Sequence, residues 1–254
     1  MIRFEGVTKK LGRKVVLDEA DFEIRGGETF VIVGLSGAGK SVTLKHMLRL
    51  LTPDSGRVWV GDEVVSEATG QDLDRIRSRF GVLFQSGALL QWMSSGDNVA
   101  LPLREHTDMK EDEIVALVRE KLALVNLEEA IDKFPADLSG GMRKRVALAR
   151  AIITKPEIIL YDEPTSGLDP VTSRAIDTLI DDTRKGLGVT SIVVTHDLHS
   201  ALAIGTRIAM LHEGRIIELA TPQEFVNSKN EVVQSFLEAQ YITKSGFWAK
   251  DVKS

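Results

Sequence analysis

The chain has 254 residues, a formal net charge of −5, 43% apolar and 27% charged residues, and no cysteine. It is long enough to bury a large core and has the composition of a globular protein. Disulfides, thiolate metal sites and cysteine nucleophiles are excluded. The acidic balance gives no global attraction to nucleic acid or anionic lipid, a local basic patch staying open, and no nucleic-acid partner is expected. The N-terminus has no apolar signal core, and no apolar run approaches the ~18 residues of a membrane span. A cytosolic protein, or one held at a membrane only by partners, is the expectation.

Residues 1–33 read as short strands, with Val15 to Leu17 and Asp21 to Ile24 patterned for them and Arg25, Gly26 and Gly27 as a turn. The apolar run Phe30 to Val33 leads into Gly34, Leu35, Ser36, Gly37, Ala38, Gly39, Lys40 and Ser41, a G-x-x-x-x-G-K-S sequence. A strand, a tight glycine turn and a helix beginning at lysine is the order a phosphate-binding loop needs. Glycines let backbone N–H groups close around phosphate oxygens. Lys40 brings a cation to the β- and γ-phosphates, and Ser41 offers its hydroxyl to Mg²⁺. A plain Gly-rich turn ending in lysine is the competing reading, and the flanking patterns weigh against it. ATP or another nucleoside triphosphate is the expected ligand.

The spacing predicts a helix over 40–51, two short strands around Gly61 and Asp62, and a strand over 82–84. From Gly87 to about Arg150 the character turns helical, with amphipathic patterns over 111–124 and 143–153. After Pro156 strands are expected over 158–161, 191–195 and 207–211, with a helix over 171–184. A mostly parallel α/β sheet interrupted by a helical insertion accounts for this order. In the last ~30 residues Val232, Val233, Phe236 and Leu237 form one apolar helical stripe, followed by Tyr241, Phe247 and Trp248. Two readings of this tail stay open: a helix docked on its own domain with disordered residues after it, or a contact arm for another subunit.

The run Ile158 to Tyr161 ends in Asp162 and Glu163. Asp162, at the carboxyl edge of the sheet, suits Mg²⁺, directly or through water. Glu163, pointing to the other side of the strand, suits a base for the attacking water. Between this pair and the phosphate loop stand Leu138, Ser139, Gly140, Gly141 and Met142, just ahead of the basic Arg143, Lys144 and Arg145. This segment resembles the signature motif of the ATP-binding-cassette (ABC) ATPases. Gln85 after Phe84 looks like their Q-loop, Ser166 to Asp169 like their D-loop, and Thr195, His196 and Asp197 like their H-switch. The resemblance covers about residues 1–225.

It implies a P-loop NTPase (ABC ATPase) fold with an N-terminal antiparallel β subdomain: a RecA-like core over 1–86 and 151–225, a helical subdomain over 87–150 and a C-terminal helical tail over 226–254. It implies ATP and Mg²⁺, with Ser41, Asp162 and Gln85 at the metal, and Glu163, His196 and Gln85 as catalytic residues. Ser139 and the Gly140 and Gly141 amides, at a helix N-terminus, form an anion site. In the family that site lies too far from its own phosphate loop, so a head-to-tail homodimer is implied. There Ser139, Gly140, Gly141 and Asp169 would meet ATP from the opposite chain, and the γ-phosphate would make association ATP-dependent. The family's usual adenine-stacking aromatic is replaced by Leu11, before Gly12, with Val16 as a second apolar contact. His46, His106, His199 and His212 are read as surface or internally satisfied residues.

Single-cassette length, the lack of a heptad array and the acidic charge argue against the ABC ATPases of translation and DNA repair. Intact Glu163 and His196 argue against a binding-only module. Phe84 to Leu89, then Asp97 to Thr107, and Met142 where many importers have Gln, look like the ATPase of Mla-type lipid transporters. That resemblance implies phospholipid or other lipid traffic between membranes, at the cytoplasmic face of the inner membrane. Its partners would be a multi-span permease, an Mce-domain lipid binder and, as a further candidate, a small STAS-domain regulator. The alternative is the ATPase of an amino-acid or other solute importer.

Overall fold

The computed structural model describes residues 1–240 and 242. The chain opens with a long hairpin, β1 (Ile2–Leu11) and β2 (Lys14–Ile24), then β3 (Thr29–Val33) and α1 (Lys40–Met47). Next come β4 (Ser55–Val60), β5 (Glu63–Val64), α2 (Gly70–Ser78) and β6 (Phe80–Leu83). The insertion carries α3 (Ser95–His106), α4 (Glu111–Leu124) and α5 (Gly140–Ile152). The second half runs β7 (Ile158–Asp162), α6 (Pro170–Leu187), β8 (Thr190–Thr195), α7 (Leu198–Ile204), β9 (Arg207–His212), β10 (Arg215–Ala220), α8 (Pro222–Val226) and α9 (Glu231–Glu238).

Two sheets result. The antiparallel sheet has the order β2-β1-β4-β5. The six-stranded sheet has the order β10-β9-β3-β8-β7-β6, parallel throughout except for the β9–β10 hairpin. Every residue of β3 and β8 is buried, which matches their apolar and β-branched runs, interrupted in β8 by Ser191 alone. Alternation sends β3 side chains to two cores. Val31 and Val33 pack with Ile159, Tyr161 and Val193 on the face shared with the insertion, among them Val99, Ile114, Leu122 and Val146. Phe30 and Ile32 join Ile158, Leu160, Ile192 and Val194 on the face covered by α1 and the antiparallel sheet. Phe22 is stacked between Phe4 and Phe30, with ring centroids 4.4 Å and 5.8 Å away, which fastens the two sheets together.

Several boundaries differ from the sequence expectation. The two short strands expected over 15–24 are one strand bent by irregular pairing. The helix expected over 40–51 stops at Met47, because Arg49 turns left-handed (φ 50°) and its guanidinium is drawn to the Ser66 and Ala68 carbonyls at 3.1 and 2.6 Å. The helix expected from 143 begins at Gly140, where Ser139 caps it. In the tail, α9 buries Val233, Phe236 and Leu237 in the chain's own core, as the docked-helix reading has it. Tyr241, Phe247 and Trp248 lie outside the described residues.

Candidate active site

The sheet order gathers the functional residues. Strands β3, β8, β7 and β6 are parallel neighbours, so their carboxyl ends share one edge. The phosphate loop leaves β3 there, His196 follows β8, Asp162 and Glu163 end β7, and Gln85 follows β6. Ligands of open α/β sheets bind at such an edge.

The loop's glycines are matched to their places. Gly39 sits at φ 108°, and a Cβ there would collide with the Val16 carbonyl oxygen. Lys40 is buried, and its ammonium donates to the Gly34 and Leu35 carbonyls at 2.7 and 3.2 Å, within 3.8 Å of a Glu163 carboxylate oxygen. Burial lowers the Lys40 pKa, while Glu163 and Asp162 oppose that shift. Ser41 donates its hydroxyl to Asp162 Oδ1 at 2.9 Å. Burial raises the Asp162 pKa despite that bond, so a cation between these oxygens would offset the cost of a desolvated carboxylate. An oxygen pair with one carboxylate suits Mg²⁺, which takes few protein ligands and completes its shell with phosphates and water.

Glu163 occupies the left-handed region (φ 49°), a costly conformation for a non-glycine residue. Contacts on its N–H, its carbonyl and its carboxylate hold it. Its N–H donates to the Val194 carbonyl at 2.8 Å, and its own carbonyl accepts from Lys144 Nζ at 3.1 Å. Its carboxylate meets His196 Nδ1 at 2.8 Å. Lys144, buried on α5, also donates to the Ser166 carbonyl at 2.8 Å, so one ammonium fastens the signature helix to both ends of the turn after β7. Gln85 Nε2 donates to Ser166 Oγ at 3.3 Å, joining the segment after β6 to the same turn.

Ser139, Gly140, Gly141 and Asp169 form a second cluster, in which Ser139 and Asp169 each hydrogen-bond the first turn of the helix they cap. Ser139 Oγ accepts from the Met142 N–H at 3.2 Å, which keeps its O–H for donation outward. Asp169 Oδ1 accepts from the Val171 and Thr172 N–H groups at 3.0 Å each, and these bonds with the Thr172 hydroxyl lower its pKa. Asp169 thus caps α6, a role additional to the one read from the sequence. A Cβ on Gly141 would collide with Thr172 Cγ2, so glycine is what lets α5 start against α6. Both Ser139 and Asp169 are exposed.

A cleft of about 420 Å³ beside the phosphate loop is lined by Lys14, Val15, Val16, residues 35–38 and residues 212–214. Leu11 is 45% exposed at the end of the β1–β2 hairpin and is not among the lining residues. Val15 and Lys14, whose ammonium reaches the Gly37 carbonyl at 3.2 Å, carry no site assignment from the sequence, and His212, read there as a surface or internally satisfied residue, lines the cleft with them. His46 is buried and donates from Nδ1 to the Val42 carbonyl at 2.7 Å, in keeping with the structural role assigned to it. Lys144 carries no signal of its own in the sequence beyond its basic run, while Thr195, read there with His196 and Asp197, has its hydroxyl 3.4 Å from Glu163 Oε2.

Comparison with known proteins bears on the family and the fold. Residues 17–166 match the family model described as "ABC transporter". A probable ribonucleotide transport ATP-binding protein, mkl, of Mycobacterium tuberculosis is 41% identical over 245 residues, 96% of this chain and 68% of the relative. The intermembrane phospholipid transport system ATP-binding protein MlaF of Haemophilus influenzae is 36% identical, covering 94% of this chain and 91% of its own. The methionine import ATP-binding protein MetN of Xanthomonas euvesicatoria is 39% identical over 96% of this chain and 75% of its own. A dimeric, post-hydrolysis ATP-binding cassette bound to ADP and Pi superposes with TM-score 0.80 at 33% identity, covering 87% of this chain and 99% of the other. The chain belongs to the ABC transporter ATP-binding family and is an ATPase subunit that uses ATP with Mg²⁺.

Proposed function

We propose that this ATPase powers movement of phospholipid or a similar lipid between membranes, through a multi-span permease and an Mce-domain lipid binder. The observation that carries this reading is the 84–107 segment with Met142, supported by a resemblance to MlaF that spans nearly the whole of both chains. Phe84 and Trp92 of that segment are 40% and 75% exposed, and apolar side chains held in solvent fit a surface that docks on another protein. Among the described residues no helix is long and apolar enough to cross a membrane. The proposed place is therefore the cytoplasmic face of the inner membrane, held by the permease, with a STAS-domain regulator as a further partner.

In the proposed mechanism Lys40 and the loop amides hold the phosphates. Ser41, Asp162 and Gln85 hold Mg²⁺, which supplies positive charge against the phosphate oxygens. Glu163 takes the proton of the attacking water, and His196 donates to the γ-phosphate. Ser139, Gly140, Gly141 and Asp169 of a second copy close the site in a head-to-tail homodimer. A solute-importer reading is favoured by the 39% identity to a methionine-import ATPase.

The test is purification of the tagged chain from detergent-solubilised native membranes, with mass spectrometry of proteins and lipids. A permease with an Mce-domain protein and bound phospholipid is expected. A permease with a solute-binding protein would move the chain to the importer class. Ribosomes or DNA without any membrane protein would reject both.

A further inference from the structure

Gln240 stands just past α9, far in sequence from the phosphate edge, yet its side chain is bound to the backbone that carries His196. Its Oε1 accepts from the Leu198 N–H at 2.9 Å, and its Nε2 donates to the His196 carbonyl at 2.8 Å. The first of these completes a helix cap. The opening N–H groups of a helix lack partners within it, and at α7 Asp197 Oδ1 takes those of His199 and Ser200 at 2.9 and 3.3 Å. The Leu198 N–H is served instead by the tail. The second bond fixes the peptide on the other side of Asp197, so one amide clamps this turn from both flanks.

The clamp has a firm base. Leu237 and Ile242, on either side of Gln240, are 2% and 5% exposed in the main core, and the Gln240 and Ile242 N–H groups both donate to the Leu237 carbonyl at 3.1 Å. His196 has no such base of its own: its side chain is 61% exposed, with Nδ1 held by Glu163. A glutamine whose donor and acceptor are both spent on one turn has the geometry of an orienting group rather than of a solvated surface residue.

We infer that Gln240 is a positioning residue for hydrolysis: it holds the His196 turn in register with Glu163 and makes the C-terminal segment a point from which turnover can be controlled. The inference rests on the assignment of His196 to the γ-phosphate proposed above. The hydrogen bonds of Gln240 run to the His196 turn and to Leu237 and not to the phosphate loop, so its loss is expected to act on the chemical step more than on nucleotide capture.

The test is Gln240→Met, which keeps side-chain length and removes both bonds, in the full chain assembled with its permease. The kcat for ATP is expected to fall roughly tenfold, since small misplacements of a catalytic group carry penalties of that order. KM for ATP and affinity for ADP should stay within about twofold, because Lys40 and the loop amides carry most of the phosphate binding and the His196 turn adds one contact to it. In a His196→Ala background Gln240→Met should have no further effect. An equal fractional loss in that background, or an unchanged kcat with His196 intact, would overturn the inference. Full turnover by His196→Ala alone would instead reject the His196 assignment. A second readout needs no activity: amide hydrogen exchange across residues 196–201 of the full chain should quicken in Gln240→Met, and unchanged exchange would also overturn the inference.

Discussion

Replacing Lys144 with methionine keeps a straight apolar stem and deletes the ammonium that serves the Glu163 and Ser166 carbonyls. Two opposed terms set the outcome. Hydrogen bonds from a charged donor contribute about 1.5–3 kcal/mol each, so about 3–6 kcal/mol of gross stabilisation goes with the two bonds. Against this, Lys144 is only 5% exposed, and burial pulls its pKa from 10.5 down to about 8. That depression corresponds to about 3 kcal/mol against the charged form, with nearby Glu163 resisting it. The difference leaves Lys144→Met less stable by up to about 3 kcal/mol at pH 7.5. The pH dependence is the sharper signature. Between about pH 8 and 10.5 the folded lysine binds fewer protons than the unfolded one. Stability therefore rises with pH across that window, and the burial penalty is fully present below it. From pH 7.5 to 9.5 the wild type recovers about 2 kcal/mol at this position and the methionine variant none. Denaturant titrations of both proteins at the two pH values should show their stability gap widening by that amount. A constant or narrowing gap would refute the account of Lys144 as a buried, charged tie.

Glu163→Gln should lower kcat by roughly 10²–10⁴ while leaving ATP affinity intact and trapping a dimer, read by phosphate release and light scattering; robust turnover would remove Glu163 from the base role. Ser139→Arg, placed in that hydrolysis-deficient background, should abolish ATP-driven dimerisation without weakening ATP binding by the single chain; dimers that persist would sink the head-to-tail arrangement. Leu11→Tyr should tighten ATP binding by about 1 kcal/mol in calorimetry if adenine rests there; since Val15 lines the cleft and Leu11 does not, an unchanged affinity would shift the base to Val15. Gly141→Ala should cost about 1–3 kcal/mol by driving a methyl into Thr172, and Thr172→Ser, which lacks the colliding carbon, should restore most of it in thermal unfolding. Failure of that rescue would place the glycine requirement elsewhere.

What could be read from the sequence was local. The phosphate loop is one unbroken stretch, and the carboxylates of β7 announce themselves at the end of an apolar run, so both carried their chemistry in their spacing. Their meeting across 121 residues, Ser41 against Asp162, followed only from the order of the motifs. Helix α3 was illegible because Gly96, Asn98 and Pro102 interrupt its pattern, and packing of Val99, Ala100 and Leu103 overrides those weak propensities. Lys144 reads as one more charge in a basic run, although folding buries it. Gln240 is an ordinary polar residue after an apolar stripe, and nothing nearby in the chain names the turn it clamps. Contacts of that kind exist only once distant backbones have met.

Asn98 deserves a last consequence. It is fully buried, accepts from the Leu90 N–H at 2.8 Å, and donates to the carbonyls of Leu90, Met93 and Ser94 at 3.0, 3.1 and 3.0 Å. Every polar atom of this amide is consumed by the main chain of the loop it holds, and none by that loop's side chains. Asn98 therefore ties the path of the loop through bonds that the exposed Trp92 takes no part in. Replacing Trp92, which is 75% exposed, removes none of these bonds. A single engine can in this way be refitted to different cargoes, and its catalytic motifs will be silent about which one it carries.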